Sequence, residues 1–264
     1  MASASYNKMG TPLSRSAAQD SDAKFFVWLA GGCVAIAVGG FMPTYWMQVP
    51  AGTVIGTPLM HLHGLLYTAW TLLLFAQCWL IEQRRYRNHR AWGLAGIALA
   101  TMMVAVGTAL GLRGVAEKIP VYGDSARAFA IVPLYAMVTF PLAFGLAIAN
   151  VRNTEWHRRL MFVATAPLLG AALARVFFTM FVGMGPGMRP GLGAPLPVNG
   201  TLAPVLLTNI VIVAGMIHDW RTRGKPHPAW TIGLIALVST ELLRTPVASS
   251  QAWLHFVDWL MHAS

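Results

Sequence analysis

Residues 25–81 read FFVWLAGGCVAIAVGGFMPTYWMQVPAGTVIGTPLMHLHGLLYTAWTLLLFAQCWLI, a run without a single Asp, Glu, Lys or Arg. About 20 helical residues cross a hydrocarbon core about 30 Å thick, so this run holds two crossings and an uncharged turn. Further uncharged stretches fill 91–112, 128–151 and 190–218. Over all 264 residues the apolar side chains make up 56% and the charged ones 11%, about half the charged share of a soluble domain. A soluble domain of about 300 residues still leaves about a quarter of its unfolded surface in water, so no soluble fold of this size hides that much apolar surface. Disorder, a disulfide scaffold and a soluble enzyme are thereby excluded. Cys33 and Cys78 both lie in apolar stretches, where a thiol serves as a small hydrophobe.

The expected fold class is all-α, a polytopic membrane helix bundle with seven transmembrane helices near 25–43, 58–82, 91–112, 128–150, 159–182, 201–218 and 228–246. A polar cytoplasmic tail, 1–24, precedes a transmembrane domain over 25–247, and an amphipathic helix over 248–264 lies on the outer interface. No small-residue cleavage site stands before Phe41-Met42-Pro43, so the first apolar run reads as an uncleaved helix. Thr57 is the expected N-cap of the second helix, with Pro58 at its first position.

The formal charge of +10 gathers at the ends of the apolar segments. Arg84, Arg85, Arg87 and Arg90, then Arg152, Arg158 and Arg159, then Arg221, Arg223 and Lys225 mark one side. On the other, 44–57 is uncharged, 113–127 reads as a loop mixing Arg113, Lys118 and Arg127 with Glu117 and Asp124, and 183–200 carries only Arg189. Basic loops stay in the cytoplasm, which puts the amino terminus inside and the carboxyl terminus in the periplasm. Lipid is the expected partner, with a membrane protein or a second copy of the chain beside it, and nucleic acid is not. The segment Gly183–Gly200, with six Gly and four Pro, reads as irregular chain, with a lid over an outward cavity as its functional reading.

Ionisable side chains inside a span are costly and mark functional sites. Arg175, Glu241 and Arg244 are the ones present, and Arg175 with Glu241 is expected to form an intramembrane charged pair in the outer third. On the second helix His63, Tyr67, Trp70, Leu74 and Gln77 share one face, while His61 points about 200° away from His63. In the tail, Trp253, Phe256, Val257 and Leu260 form one stripe, and Gln251, His255, Asp258 and His262 another. His61, His63, His255 and His262 are the metal-ligand candidates, with ordinary interfacial histidines and a solvated helix face as the plainer readings.

The segments Arg87-Asn-His89-Arg-Ala-Trp92, Glu155-Trp-His157-Arg-Arg-Leu160 and Lys225-Pro-His227-Pro-Ala-Trp230 each open an outgoing helix, at intervals of 68 and 70 residues. Three tandem helical hairpins after a leading helix fit that period, and so does the plain need of outgoing helices for basic starts. With His61-Leu-His63-Gly64, Arg175 and Asp219-Trp-Arg-Thr-Arg-Gly224 added, residues 60–232 resemble a group of bacterial multi-pass inner-membrane proteins with HxHG, HRxxG, WHRRLM and DxRxRGxxHPAW motifs. That resemblance implies a location and supplies no reaction. A looser likeness is to b-type cytochromes, which hold haem between histidines of neighbouring helices. Three functions follow as expectations: a histidine-based haem or transition-metal redox protein using His63, His89 and His157; a small-molecule or proton-coupled transporter using Arg175 and Glu241; and an assembly subunit without catalysis. No hydrolase motif is present.

Overall fold

The structure is a computed structural model that describes residues 17–54, 56–181 and 194–263. Among these residues it is all-α, with seven helices long and apolar enough to cross a membrane: α1 Ser21–Trp46, α2 Pro58–Glu82, α3 Tyr86–Tyr122, α4 Asp124–Ala149, α5 Thr154–Met180, α6 Val198–Arg223 and α7 Pro228–Ala248. A shorter helix, α8 Gln251–Ala263, follows. This is the architecture of a multi-pass membrane helix bundle. The expected lid falls largely on residues 182–193, outside the described residues.

Local chemistry sets the helix ends. Thr57 Oγ1 accepts from the Met60 amide at 3.3 Å and Pro58 takes the first helical position, as expected. Asn153 caps α5 by accepting from the Trp156 amide, and Gly224, at φ 77°, closes α6 in the left-handed region that suits glycine. The largest difference from the expected boundaries lies at the end of α3. Residues 113–122 continue α3 as helix to a total of 37 residues, about 55 Å, and the charges read there as a loop signal form an i,i+4 pair, Arg113 Nε to Glu117 Oε1 at 2.7 Å.

Helix α5 is the most buried span, with half of its apolar window inside the bundle, and α6 follows at 44%. Helix α7 packs on the inner half of α5, Thr154–Thr165, whereas α1 packs on its outer half, Gly170–Phe181. Both central helices are interrupted. In α5 the stretch Ala166–Leu169 tightens to a 3-10 turn at Pro167, which has no amide hydrogen to continue the ladder. In α6 the α-helical hydrogen bonding breaks at Thr208 and Asn209. The two breaks adjoin: a methyl at Gly170 would stand 3.8 Å from the Thr208 side chain.

Close helix contacts depend on glycine. A Cβ on Gly40 would lie 2.5 Å from the backbone oxygen of Ala172, which cannot swing aside. Gly40→Ala is therefore expected to push α1 off α5 and cost about 1–3 kcal/mol, read as a lower melting temperature of the detergent-solubilised protein, while Gly32→Ala, facing open space, stays within about 0.5 kcal/mol.

Helix α8 buries Leu254 and Val257, the latter beside Val115 and Ala130, and leaves Phe256 and Trp259 exposed. The expected apolar stripe is thus split. Trp253 and Val257 face the start of α4 and the outer end of α3, whereas Phe256 faces away, because α8 docks chiefly against the start of α4.

Candidate functional site

The most deeply built polar cluster centres on Glu241, which is fully buried. Counted from the inner helix ends at 1.5 Å per residue, Glu241 on α7, Asn209 on α6 and Tyr135 on α4 all lie about 20 Å up the bundle. Asn209 donates its Nδ2 to Glu241 Oε2 at 2.8 Å, and the Tyr135 hydroxyl approaches Oε1 at 3.4 Å. Asn209 occupies the break in α6, so the interruption of the helix is what aims this amide at the carboxyl. Arg244, one turn further along α7, donates Nη2 to Thr201 Oγ1 at 2.6 Å and stands over the Tyr135 ring at 5.7 Å. Among the described residues no basic nitrogen lies within 4.0 Å of the Glu241 carboxyl. The side-chain Oδ1 of Asn209 and Nε of Arg244 are buried with no hydrogen-bond partner.

Arg175 and Glu241 do not form the expected pair. Arg175 donates Nε to Thr44 Oγ1 at 3.2 Å and Nη1 to the Ala171 carbonyl at 2.8 Å, and its guanidinium stacks on Phe41 at 4.1 Å. The reason is the packing order: the end of α1 covers the outer half of α5, and α7 packs chiefly on the inner half. Arg175 has no carboxylate partner among the described residues.

The outer histidines do not assemble. The Tyr45 hydroxyl lies 2.8 Å from His61 Nδ1, while His63 stacks on Tyr67 with ring centroids 4.0 Å apart and keeps a buried Nδ1 without a partner. His255 and His262 are exposed on α8, which the Arg127–Asp258 ion pair, at 2.6 Å, holds against the start of α4. Among the described residues no group of three or more His, Cys, Asp or Glu could hold a metal ion, so the set His61, His63, His255 and His262 is not brought together.

At the inner edge two of the expected histidines do meet. His89 and His157 each occupy the fourth position of their helix, with amides bonded to Arg85 and Asn153, and their ring centroids stand 6.5 Å apart at an interplanar angle of 85°. His157 donates Nδ1–H to the Ala147 carbonyl at 2.8 Å, which leaves Nε2 with its lone pair. His63, at the far end of α2, is not part of this pair. His227 breaks the pattern by standing at the N-cap of α7, so the motif recurs structurally in two of its three copies.

Around these histidines lies an ion network the sequence reading did not anticipate. Arg159, fully buried, makes two bonds to Asp219, also fully buried: Nη2 to Oδ1 at 2.6 Å and Nε to Oδ2 at 2.8 Å. Its Nη1 reaches Glu155 at 2.8 Å. Arg158 binds Asp22 at 2.6 Å and lies over Phe26, Arg223 binds Asp22 and Glu155, and His218 joins Asp22 at 2.9 Å while stacking on Phe25. Three carboxylates and three guanidiniums thus tie the inner ends of α1, α5 and α6 together. The signal was the i,i+4 spacing of Glu155 with Arg159 and of Asp219 with Arg223, which the surplus of arginines masked.

His227 completes this edge. Its amide donates to Asp219 Oδ2 at 3.1 Å, and its Nδ1 accepts from the Ala229 amide at 3.1 Å. Partial burial, seconded by the Arg159 charge and against the pull of Asp219 and Glu155, holds its pKa below the ordinary 6.5. The depressed value means that the unfolded chain takes up the proton first as pH falls below about 6.5, so stability from the neutral cap is present above that pH and lost beneath it. Thermal unfolding measured from pH 7.5 to 5.5 should show this loss, reduced in His227→Asn, which caps without titrating.

Comparison with known proteins returns no likeness: no family model matches the chain, no curated protein matches its sequence, and no solved structure matches its fold.

Proposed function

We propose that this chain is a bacterial inner-membrane transporter that moves protons, alone or coupled to a small molecule, through Glu241. The observation that carries the reading is a fully buried carboxyl about two-thirds of the way up its span, held by neutral donors and faced by the break in α6. Interrupted helices that adjoin near the bilayer midplane are where membrane transporters build their sites, because freed backbone and side-chain groups line the path there. Ionisable groups at that depth serve proton relays. Arg175, a guanidinium near the outer edge without a carboxylate partner among the described residues, supplies the attraction for an anionic group entering from that side. The basic inner loops orient the bundle with the amino terminus in the cytoplasm and the carboxyl terminus in the periplasm.

Purified protein in liposomes with a trapped pH-sensitive dye tests the reading. Under an imposed pH gradient the protein should speed proton entry over empty vesicles, and Glu241→Gln should remove that increment. Equal rates with and without protein, in the presence of a library of small organic anions, would leave the assembly-subunit reading in place. A histidine-based redox centre is the second reading, favoured by the approach of His89 to His157.

A further inference from the structure

The facing imidazoles of His89 and His157 lie at the inner edge, remote from Glu241 and independent of the transport reading. They come from helix starts 68 residues apart. Three features distinguish them from histidines that merely finish a helix start. The Ala147 carbonyl fixes the His157 tautomer, so Nε2 carries the free lone pair, and a hydrogen bond on the other ring nitrogen is the usual second support of a ligating imidazole. The His89 ring keeps a buried Nδ1 with no partner. Gln77, whose Nε2 donates to the His89 backbone carbonyl at 3.1 Å, keeps a buried Oε1 with no partner.

The ring spacing selects the geometry. Metal–nitrogen bonds of about 2.0 Å, on rings whose nitrogens sit about 1.1 Å from their centres, separate trans imidazoles by about 6 Å and tetrahedral ones by about 5 Å. The observed 6.5 Å is slightly wider than the trans value and about 1.5 Å wider than the tetrahedral one, so a small closure of the two rings gives opposed ligands. Zinc, which favours tetrahedral sites, fits that spacing poorly, whereas copper accepts opposed nitrogen ligands and heads the divalent affinity order for such donors.

We infer that His89 and His157 bind one copper ion between opposed imidazoles, with Gln77 Oε1 as a neighbouring oxygen donor. This deepens the histidine-based reading and names a bare ion as its metal. The test uses the full chain in detergent, stripped by chelator and titrated with Cu(I) under reductant against a chromogenic Cu(I) chelator. One equivalent should bind, His89→Ala and His157→Ala should each weaken binding at least 100-fold, and His227→Ala should bind as the parent does. The reoxidised parent should show nitrogen superhyperfine splitting from two imidazoles in its electron paramagnetic resonance spectrum. Each variant is compared only after it elutes as a monodisperse peak, and the spectrum of the parent stands as a readout that needs no variant. Copper retained equally by both variants, or none bound by the parent, overturns the site. A reduced-minus-oxidised haem spectrum that requires both histidines overturns the bare ion in favour of haem iron. Neither outcome bears on proton entry through Glu241.

Discussion

Asp219→Ala is expected to destabilise the protein by about 3–5 kcal/mol, which lowers the apparent melting temperature by about 10 °C. Arg159 and Asp219 are both fully buried and share two short hydrogen bonds. Removing the carboxylate strands a buried guanidinium beside the Phe26 ring with only Glu155 to compensate it. The size of the loss comes from that stranded charge, since a buried pair set against its apolar replacement is often nearly neutral. The double variant Arg159→Met with Asp219→Leu should therefore recover most of the stability that either single change removes. The pair Arg113–Glu117, with both side chains more than half exposed, is the internal control: Glu117→Ala should cost less than about 1 kcal/mol. Differential scanning fluorimetry in one detergent reads all four. If Asp219→Ala melts with the parent, the inner network holds nothing together.

The contrast between these two pairs shows what the sequence makes legible. Apolar length and charge spacing announce every span, because crossing a bilayer imposes a length and an uncharged composition that survive any detail of packing. Partnership is another matter. Glu155 and Arg159, or Asp219 and Arg223, are readable as i,i+4 neighbours, but the two-bond contact between α5 and α6 joins residues 60 apart and depends on which helix faces which. The same dependence misdirects the outer charges. Arg175 and Glu241 lie in the outer half of their helices, yet α1 and not α7 covers that part of α5. The breaks in α5 and α6 were likewise only half visible: Pro167 announces the first, whereas nothing in the run Leu206-Leu-Thr-Asn-Ile210 marks the second except Asn209 itself. His89 and His157 were legible because equivalent helix starts carry them, and His227 departs because Pro228 sets the first helical position directly after it.

Glu241→Gln is expected to separate folding from function. Glutamine keeps the shape of the side chain, can accept from Asn209 through its carbonyl, and can pair with the Tyr135 hydroxyl. It removes only the ability to exchange a proton, together with any cost of burying charge, so the variant should melt within about 1 kcal/mol of the parent or above it. Proton entry into vesicles should nevertheless fall at least tenfold. Glu241→Ala, by contrast, abandons the Asn209 amide in a dry interior and should lose about 1–3 kcal/mol along with the flux. A purely structural carboxyl predicts a different ordering, in which flux follows stability and glutamine is innocuous in both. Asn209→Leu completes the comparison: it removes the donor at the break in α6 and leaves the carboxyl present, so stability should drop while some proton movement remains. Flux that survives Glu241→Gln at the parental rate would remove Glu241 from any proton path, whatever the melting temperatures show.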